Sequence, residues 1–124
     1  MKPIAIDIYD NDGCPRCYIF NDRSQTVWTW RGFAVAYVVG EMVYGWRGHY
    51  LGWFVDGIFF DNRGFRVGCV REQCRVPVKS APPKAPRNAM DCKGAQEIPH
   101  NRPAEFRGAV SEMTLDEFLA QDTL

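Results

Sequence analysis

Residues 43–54 read Val43-Tyr44-Gly45-Trp46-Arg47-Gly48-His49-Tyr50-Leu51-Gly52-Trp53-Phe54, and three other stretches follow the same template. With Gly48 as the pivot, Gly13, Gly32 and Gly64 fall in one column. Four residues before each pivot stand Tyr9, Trp28, Tyr44 and Phe60, all aromatic, and five before stand Ile8, Val27, Val43 and Phe59. Three after come Arg16, Val35, Leu51 and Val67. Five after come Tyr18, Tyr37, Trp53 and Cys69, and six after Ile19, Val38, Phe54 and Val70. The pivots are 19, 16 and 16 residues apart. A fixed period of that kind marks a stacked or ring-like repeat fold.

Each repeat reads as a β-hairpin. Ile4, Ile6 and Ile8 alternate with Ala5, Asp7 and Tyr9, the period of two expected of a strand. Asp10-Asn11-Asp12-Gly13 and Asp61-Asn62-Arg63-Gly64 supply turn chemistry, because Asx side chains bond their own backbone and glycine accepts positive φ. The middle copies use Thr29-Trp30-Arg31-Gly32 and Gly45-Trp46-Arg47-Gly48, so only the glycine is common to all four. Alanine in its place is expected to cost roughly 1–2 kcal/mol. Short links at 21–25, 39–41 and 55–57 make sequential strands spatial neighbours, in an up-and-down meander.

The fold class expected is all-β: four β-hairpin repeats around a pseudo-four-fold axis, followed by a proline-rich tail with a short C-terminal helix. In such a ring Tyr9, Trp28, Tyr44 and Phe60 are expected to form one layer of the shared centre, and Tyr18, Tyr37, Trp53 and Cys69 a second. A twisted open sheet with the same residues on one face is the alternative, since strand order does not follow from periodicity.

Residues 1–76 hold the hairpins and 15 of the 17 aromatic residues. Residues 77–110 change texture: Pro77, Pro82, Pro83 and Pro86, mixed with Lys79, Lys84 and Arg87, read as an extended polyproline-like connector. Within 111–124, Thr114-Leu115-Asp116-Glu117 is a capping box that opens a short helix with Leu115, Phe118 and Leu119 on one side. Two turns of helix are unstable alone, so the segment is expected to dock on this domain or on a second copy.

The repeated aromatic-x-x-x-Gly hairpins resemble the four-fold β-flower domain of small bacterial proteins. The likeness is carried by residues 43–54, by Asp56-Gly57-Ile58-Phe59-Phe60-Asp61 with Gly64 and Val67-Gly68, and by the tail pattern Thr114 to Leu119. It covers residues 4–70 well and 77–120 loosely. The resemblance implies four hairpins as petals about a pseudo-four-fold axis and implies no activity. Cys14-Pro15-Arg16-Cys17 departs from it, standing in the first hairpin where a plain strand belongs.

Composition excludes some functions. Fifteen basic and 15 acidic residues leave no basic excess for nucleic acid or an anionic membrane. No apolar run approaches the ~20 residues of a membrane helix. No secretory signal is visible, and five cysteines, an odd number, fit free thiols in a reducing cytoplasm.

Cys14-x-x-Cys17 with Cys69 and Cys74 makes a candidate four-thiolate zinc site, since a ring brings the first and last hairpins together. A redox pair at Cys14 and Cys17 and a purely structural role are the alternatives, and Cys69 occupies an otherwise aromatic column as a small core residue would. Trp30-Arg31 and Trp46-Arg47 at two hairpin tips have the composition of a binding hot spot. The competing reading packs each indole on the neighbouring hairpin. His49 shares a column with Cys14, Phe33 and Phe65, so packing is expected of it, although with Tyr50 it can also line a small polar site. Asp10-Asn11-Asp12-Gly13 lacks the distal glutamate of a calcium loop and reads as a turn. The readings of function are a protein-binding or assembly module reaching a protein partner or sister subunit, a small enzyme or regulatory domain with an axial pocket near His49 and the thiols, and a zinc-stabilised structural protein.

Overall fold

The computed structural model describes residues 5–21, 25–90, 92–98, 103, 105–106 and 108–121. Ile4, His100 and link residues 22–24 lie outside them. Eight strands follow in chain order: β1 (Ala5–Tyr9), β2 (Pro15–Phe20), β3 (Thr26–Trp28), β4 (Ala34–Val39), β5 (Met42–Gly45), β6 (Tyr50–Val55), β7 (Ile58–Asp61) and β8 (Arg66–Val70). Each pairs antiparallel with the next, and β8 pairs with β1 through Ile8↔Val70 and Tyr9↔Cys69. The sheet is therefore a closed barrel, not an open face, and closure leaves no free edge.

The four hairpins share one construction. The pivot amide bonds back to the residue three before it, at 3.0 Å in every copy (Gly13 to Asp10, Gly32 to Thr29, Gly48 to Gly45, Gly64 to Asp61). The pivots hold φ of 80°, 89°, 96° and 88°, the left-handed region that the repeated glycine anticipates. Just below each turn the register slips, between Ile8/Tyr9, Val27/Trp28, Val43/Tyr44 and Phe59/Phe60. The extra residues are Arg16, Val35, Leu51 and Val67, so each long strand carries a bulge at the same place. Cys14-Pro15-Arg16-Cys17 obeys this pattern, and the first hairpin is as regular as the others.

The aromatic columns do not form the centre. The apolar core comprises Ile8, Val27, Val43 and Phe59 with Cys17, Ala36, Ile19 and Val38, joined by Leu51 and Val67. Tyr9, Trp28, Tyr44 and Phe60, and likewise Tyr18, Tyr37, Trp53 and Cys69, alternate onto the outer face and are absent from that cluster. The reason is geometric. Successive strand residues face opposite sides, and an eight-stranded barrel is just wide enough for its own inward side chains. Two rings of large aromatics do not fit there.

Helix α1 (Leu115–Ala120) docks on its own barrel, with Leu115, Phe118 and Leu119 buried in the core cluster. Its capping box forms as the sequence predicts: Glu117 N–H donates to Thr114 Oγ1 at 3.1 Å and Thr114 N–H to Glu117 Oε1 at 2.9 Å. Gly52 and Gly68 leave the space it needs. A Cβ on Gly52 would stand 2.8 Å from Phe118 Cε1, and one on Gly68 3.0 Å from Leu115 Cδ2. Arg16 joins this helix to the first hairpin, 2.9 Å from Asp10 and 3.7 Å from Asp116.

Candidate functional site

The aromatic columns are nevertheless buried, because the proline-rich segment wraps the barrel as a strap. It meets the hairpins in chain order by main-chain bonds. Lys79 N–H donates to Gly13 O at 2.9 Å, Ala85 to Trp30 O at 3.0 Å, and Asn88 to Gly32 O at 2.8 Å. Gly94 donates to Trp46 O and Glu97 to Gly48 O, both at 2.9 Å. At the fourth hairpin Arg66 N–H donates to Ala109 O at 3.0 Å, and Ser111 N–H returns to Arg66 O at 2.7 Å. A side chain on Gly13, Gly32 or Gly48 would collide with the carbonyls of Pro77, Pro86 and Ala95 respectively. The pivot glycines thus serve the turn and admit the strap.

Side chains complete the grip in the grooves between hairpins. Trp30 lies 5.6 Å from Tyr18 of the preceding hairpin and donates its Nε1–H to Pro15 O at 3.1 Å. Lys84 of the strap sits over both rings, 5.2 Å from Tyr18 and 5.0 Å from Trp30, with Asp7 3.0 Å away. The next groove repeats the device. Trp46 stands edge-on to Tyr37 at 5.9 Å, and Lys93 lies 4.1 Å from Tyr37 and 5.1 Å from Trp46. Arg87 covers Phe20 at 4.0 Å and Trp28 at 5.8 Å. In the third groove Phe106 packs on Phe60 at 4.6 Å and Trp53 at 6.2 Å. In the last, the tip residue equivalent to the two tryptophans is Asn11, whose Nδ2–H reaches Arg66 O at 3.2 Å.

The structure divides the residues that the sequence singles out. Trp30 and Trp46 are half-buried, folded onto the preceding hairpin beneath strap lysines, while Arg31 and Arg47 stay exposed at the tips. His49, of which packing is expected, is exposed, as is Phe33 in the same column, while Cys14 and Phe65 there are half-buried. Tyr50 is half-buried, 6.1 Å from Trp53, and its backbone N–H donates to Glu97 Oε1 at 2.5 Å. Burial, above the other influences, raises its phenol. The barrel interior beneath the tips is packed with apolar side chains.

The four thiols of the candidate zinc site do not converge. Cys17 points into the barrel and Cys69 to its outer face, on opposite sides of the sheet. Cys14 stays at the tip turn, its Sγ 3.3 Å from Lys79 Nζ. Only Cys69 and Cys74 meet, with Sγ atoms 3.2 Å apart. Among the described residues no three of His, Cys, Asp and Glu form a group able to hold a metal ion. Burial raises the Cys17 thiol far above its usual range, which suits a core residue and not a redox pair. Asp10 and Asp61 act as turn caps. Asp10 Oδ1 accepts from the Asp12 and Cys14 amides at 2.9 Å, and Asp61 Oδ1 from those of Arg63 and Phe65 at 2.9 and 3.0 Å. A cleft of about 480 Å³ lies between the fourth tip and α1, but Ser111 Oγ–H already occupies Asp61 Oδ2 at 2.6 Å.

The strap was the part that sequence reasoning missed. Its signal is a nine-residue recurrence of basic residues, Arg75, Lys84, Lys93 and Arg102, followed two residues on by Pro77, Pro86, Ala95 and Ala104. Lys84 and Lys93 are the two that reach aromatic pairs; Arg102 lies outside the described residues. No helix among the described residues is long and apolar enough to cross a membrane. No curated protein and no solved structure matches this chain. The pattern that defines the 4-fold beta flower proteins matches residues 6–119, which take in the hairpins, the strap and the terminal helix to within one residue at each end, and the chain belongs to that family.

Proposed function

We propose that this protein is a protein-binding or assembly module whose outer grooves recognise an extended, basic segment, its own strap being the resident occupant. The observation that supports this reading is the repeated seating of that segment: main-chain bonds at the hairpin tips, with lysines over the Tyr18–Trp30 and Tyr37–Trp46 pairs. Main-chain bonds provide affinity for any extended chain, and aromatic pairs select a cation at set intervals. A protein partner with the same spacing of basic residues, or the strap of a second copy, has the chemistry to compete. The packed interior and the engaged turn carboxylates favour this reading over an enzyme. We place the protein in the cytoplasm, in keeping with its five free cysteines.

A tethered occupant competes at high effective concentration, so the test weakens it without altering the barrel. Two exposed cation–π contacts are together worth about 1–2 kcal/mol, roughly five- to thirtyfold in occupancy. A fluorescent peptide of residues 80–98 is expected to bind the Lys84→Ala/Lys93→Ala chain tighter than the native chain by that factor, read by anisotropy. Equal binding, or binding to neither, overturns the reading. Light scattering across a concentration series tests exchange between copies, which requires the dimer fraction to rise with concentration.

A further inference from the structure

Three of the four grooves carry a large aromatic five residues after the pivot, Tyr18, Tyr37 or Trp53, whereas the fourth carries Cys69. That groove is the seam where the last hairpin meets the first, and where the chain leaves the barrel to become the strap. Cys74 stands at this exit, its Sγ 3.2 Å from Cys69 Sγ. The 3₁₀ turn between them (Arg71–Gln73) is anchored by other groups. Cys74 N–H donates to Arg71 O at 3.1 Å, Arg66 Nη2–H to Gln73 O at 2.8 Å, and Gln73 Nε2–H to Asp56 O at 2.9 Å. The two sulfurs are therefore brought into contact chiefly by bonds of other groups, although Cys74 Sγ also lies 3.5 Å from Val70 O. The remaining cysteines differ: Cys17 is in the core, Cys14 lies against Lys79, and Cys92 is exposed.

We propose that Cys69 and Cys74 are a thiol-oxidation site, which closes to a disulfide that staples the root of the strap to β8. The co-reactant is a small disulfide such as oxidised glutathione. Cys74 is half-buried and Cys69 is 2% exposed, so Cys74 reacts first. Its thiolate attacks one glutathione sulfur, forming a mixed disulfide and releasing one glutathione thiolate, which takes up the proton that Cys74 lost. Cys69, giving up its proton in turn, attacks the Cys74 sulfur and expels the second glutathione as a thiol. Two protein thiols lose two electrons, and the S–S bond of the oxidant is reduced by them. Burial and the neighbouring Cys69 push the Cys74 thiol up to about 12, while Arg66 opposes them. Exchange is accordingly slow, and the equilibrium with a glutathione buffer is the quantity to measure. Closure fixes the stretch just before the first strap contact, the Lys79–Gly13 bond. The thiol pair forms whatever the grooves bind.

The experiment equilibrates the full chain in glutathione buffers stepped from reducing to oxidising, quenches with iodoacetamide in denaturant, and reads intact mass and peptide maps. The expected result is loss of two of the five alkylations in a single step, mapped to Cys69 and Cys74. Cys92→Ser retains the step, and Cys74→Ser abolishes it. Full alkylation of both thiols in the most oxidising buffer, a different linked pair, or a persistent glutathione adduct on Cys74 with Cys69 still free overturns the proposal. The native chain alone decides among these outcomes, so a variant that fails to fold leaves the test intact.

Discussion

Alanine at Gly48 and alanine at Gly40 impose the same kind of backbone strain in different surroundings. Gly48 holds φ of 96° and Gly40 of 62°, both in the region that disfavours a Cβ, at about 1–2 kcal/mol. At Gly40 nothing lies within 4 Å of an added Cβ, so this strain is the whole expected cost. At Gly48 the Cβ runs into the Ala95 carbonyl and the Gln96 amide of the strap. Overpacking adds about 1–3 kcal/mol, so Gly48→Ala is expected to lose about 2–5 kcal/mol in all. Urea denaturation followed by tryptophan fluorescence measures both variants. Amide hydrogen exchange then shows where the added cost falls. Gly94 and Glu97 donate to Trp46 O and Gly48 O, so their protection should drop in Gly48→Ala and stay intact in Gly40→Ala. Equal destabilisation of the two variants, with those amides unchanged, would refute a strap seated on the hairpin tips.

Phe118→Ala removes a fully buried ring that packs 6.0 Å from Phe59; a loss of about 3–5 kcal/mol is expected in the same urea assay, and under about 1 kcal/mol would mean that α1 is not part of the core. Acid stability offers a third check. Burial, the largest single influence, raises the Asp10 carboxyl, but bonds from Arg16 and from the Cys14 and Asp12 amides outweigh it and hold the group below 3.8. A depressed carboxyl contributes stability that is complete above its unfolded value and is lost as pH falls through its folded one. Asp10→Asn should therefore flatten the stability profile below pH 3.8, and an unchanged slope would contradict the bonding described. Maleimide labelling of the reduced native chain should modify exposed Cys92 first and buried Cys17 only on unfolding; early modification of Cys17 would place its sulfur outside the barrel.

Much of the architecture was legible because its causes are local. A glycine at positive φ closes a turn wherever it occurs, helped in three of the four copies by an Asx or Thr three residues before it, and alternation about it makes two strands. Four copies of that instruction, joined by short links, left an open sheet or a closed ring. Thr114 and Glu117 announced a helix start by the same local logic. The candidate site was legible only in part. Trp30 and Trp46 stood out by composition, yet their role depends on Lys84 and Lys93, which follow by more than 45 residues. The cysteines illustrate the limit from the other side. Their spacing suits a metal, but alternation sends Cys17 inward and Cys69 outward, and only Cys74, brought back by the 3₁₀ turn, completes a pair.

The amino-acid order by itself determined the hairpins, their number, the pivot conformations and the helix start, since each depends on residues within one turn of one another. Which face of the sheet turns inward, what covers the other, and where the final helix lodges were decided only in three dimensions. Closing eight strands into a narrow barrel leaves room for one inward side chain per alternate position, mostly aliphatic with Phe59 and, from α1, Phe118 among them, and puts the aromatic columns on the outer face. Those rings would stand in water without the proline-rich segment, and the place of that segment follows from contacts between residues far apart in the chain.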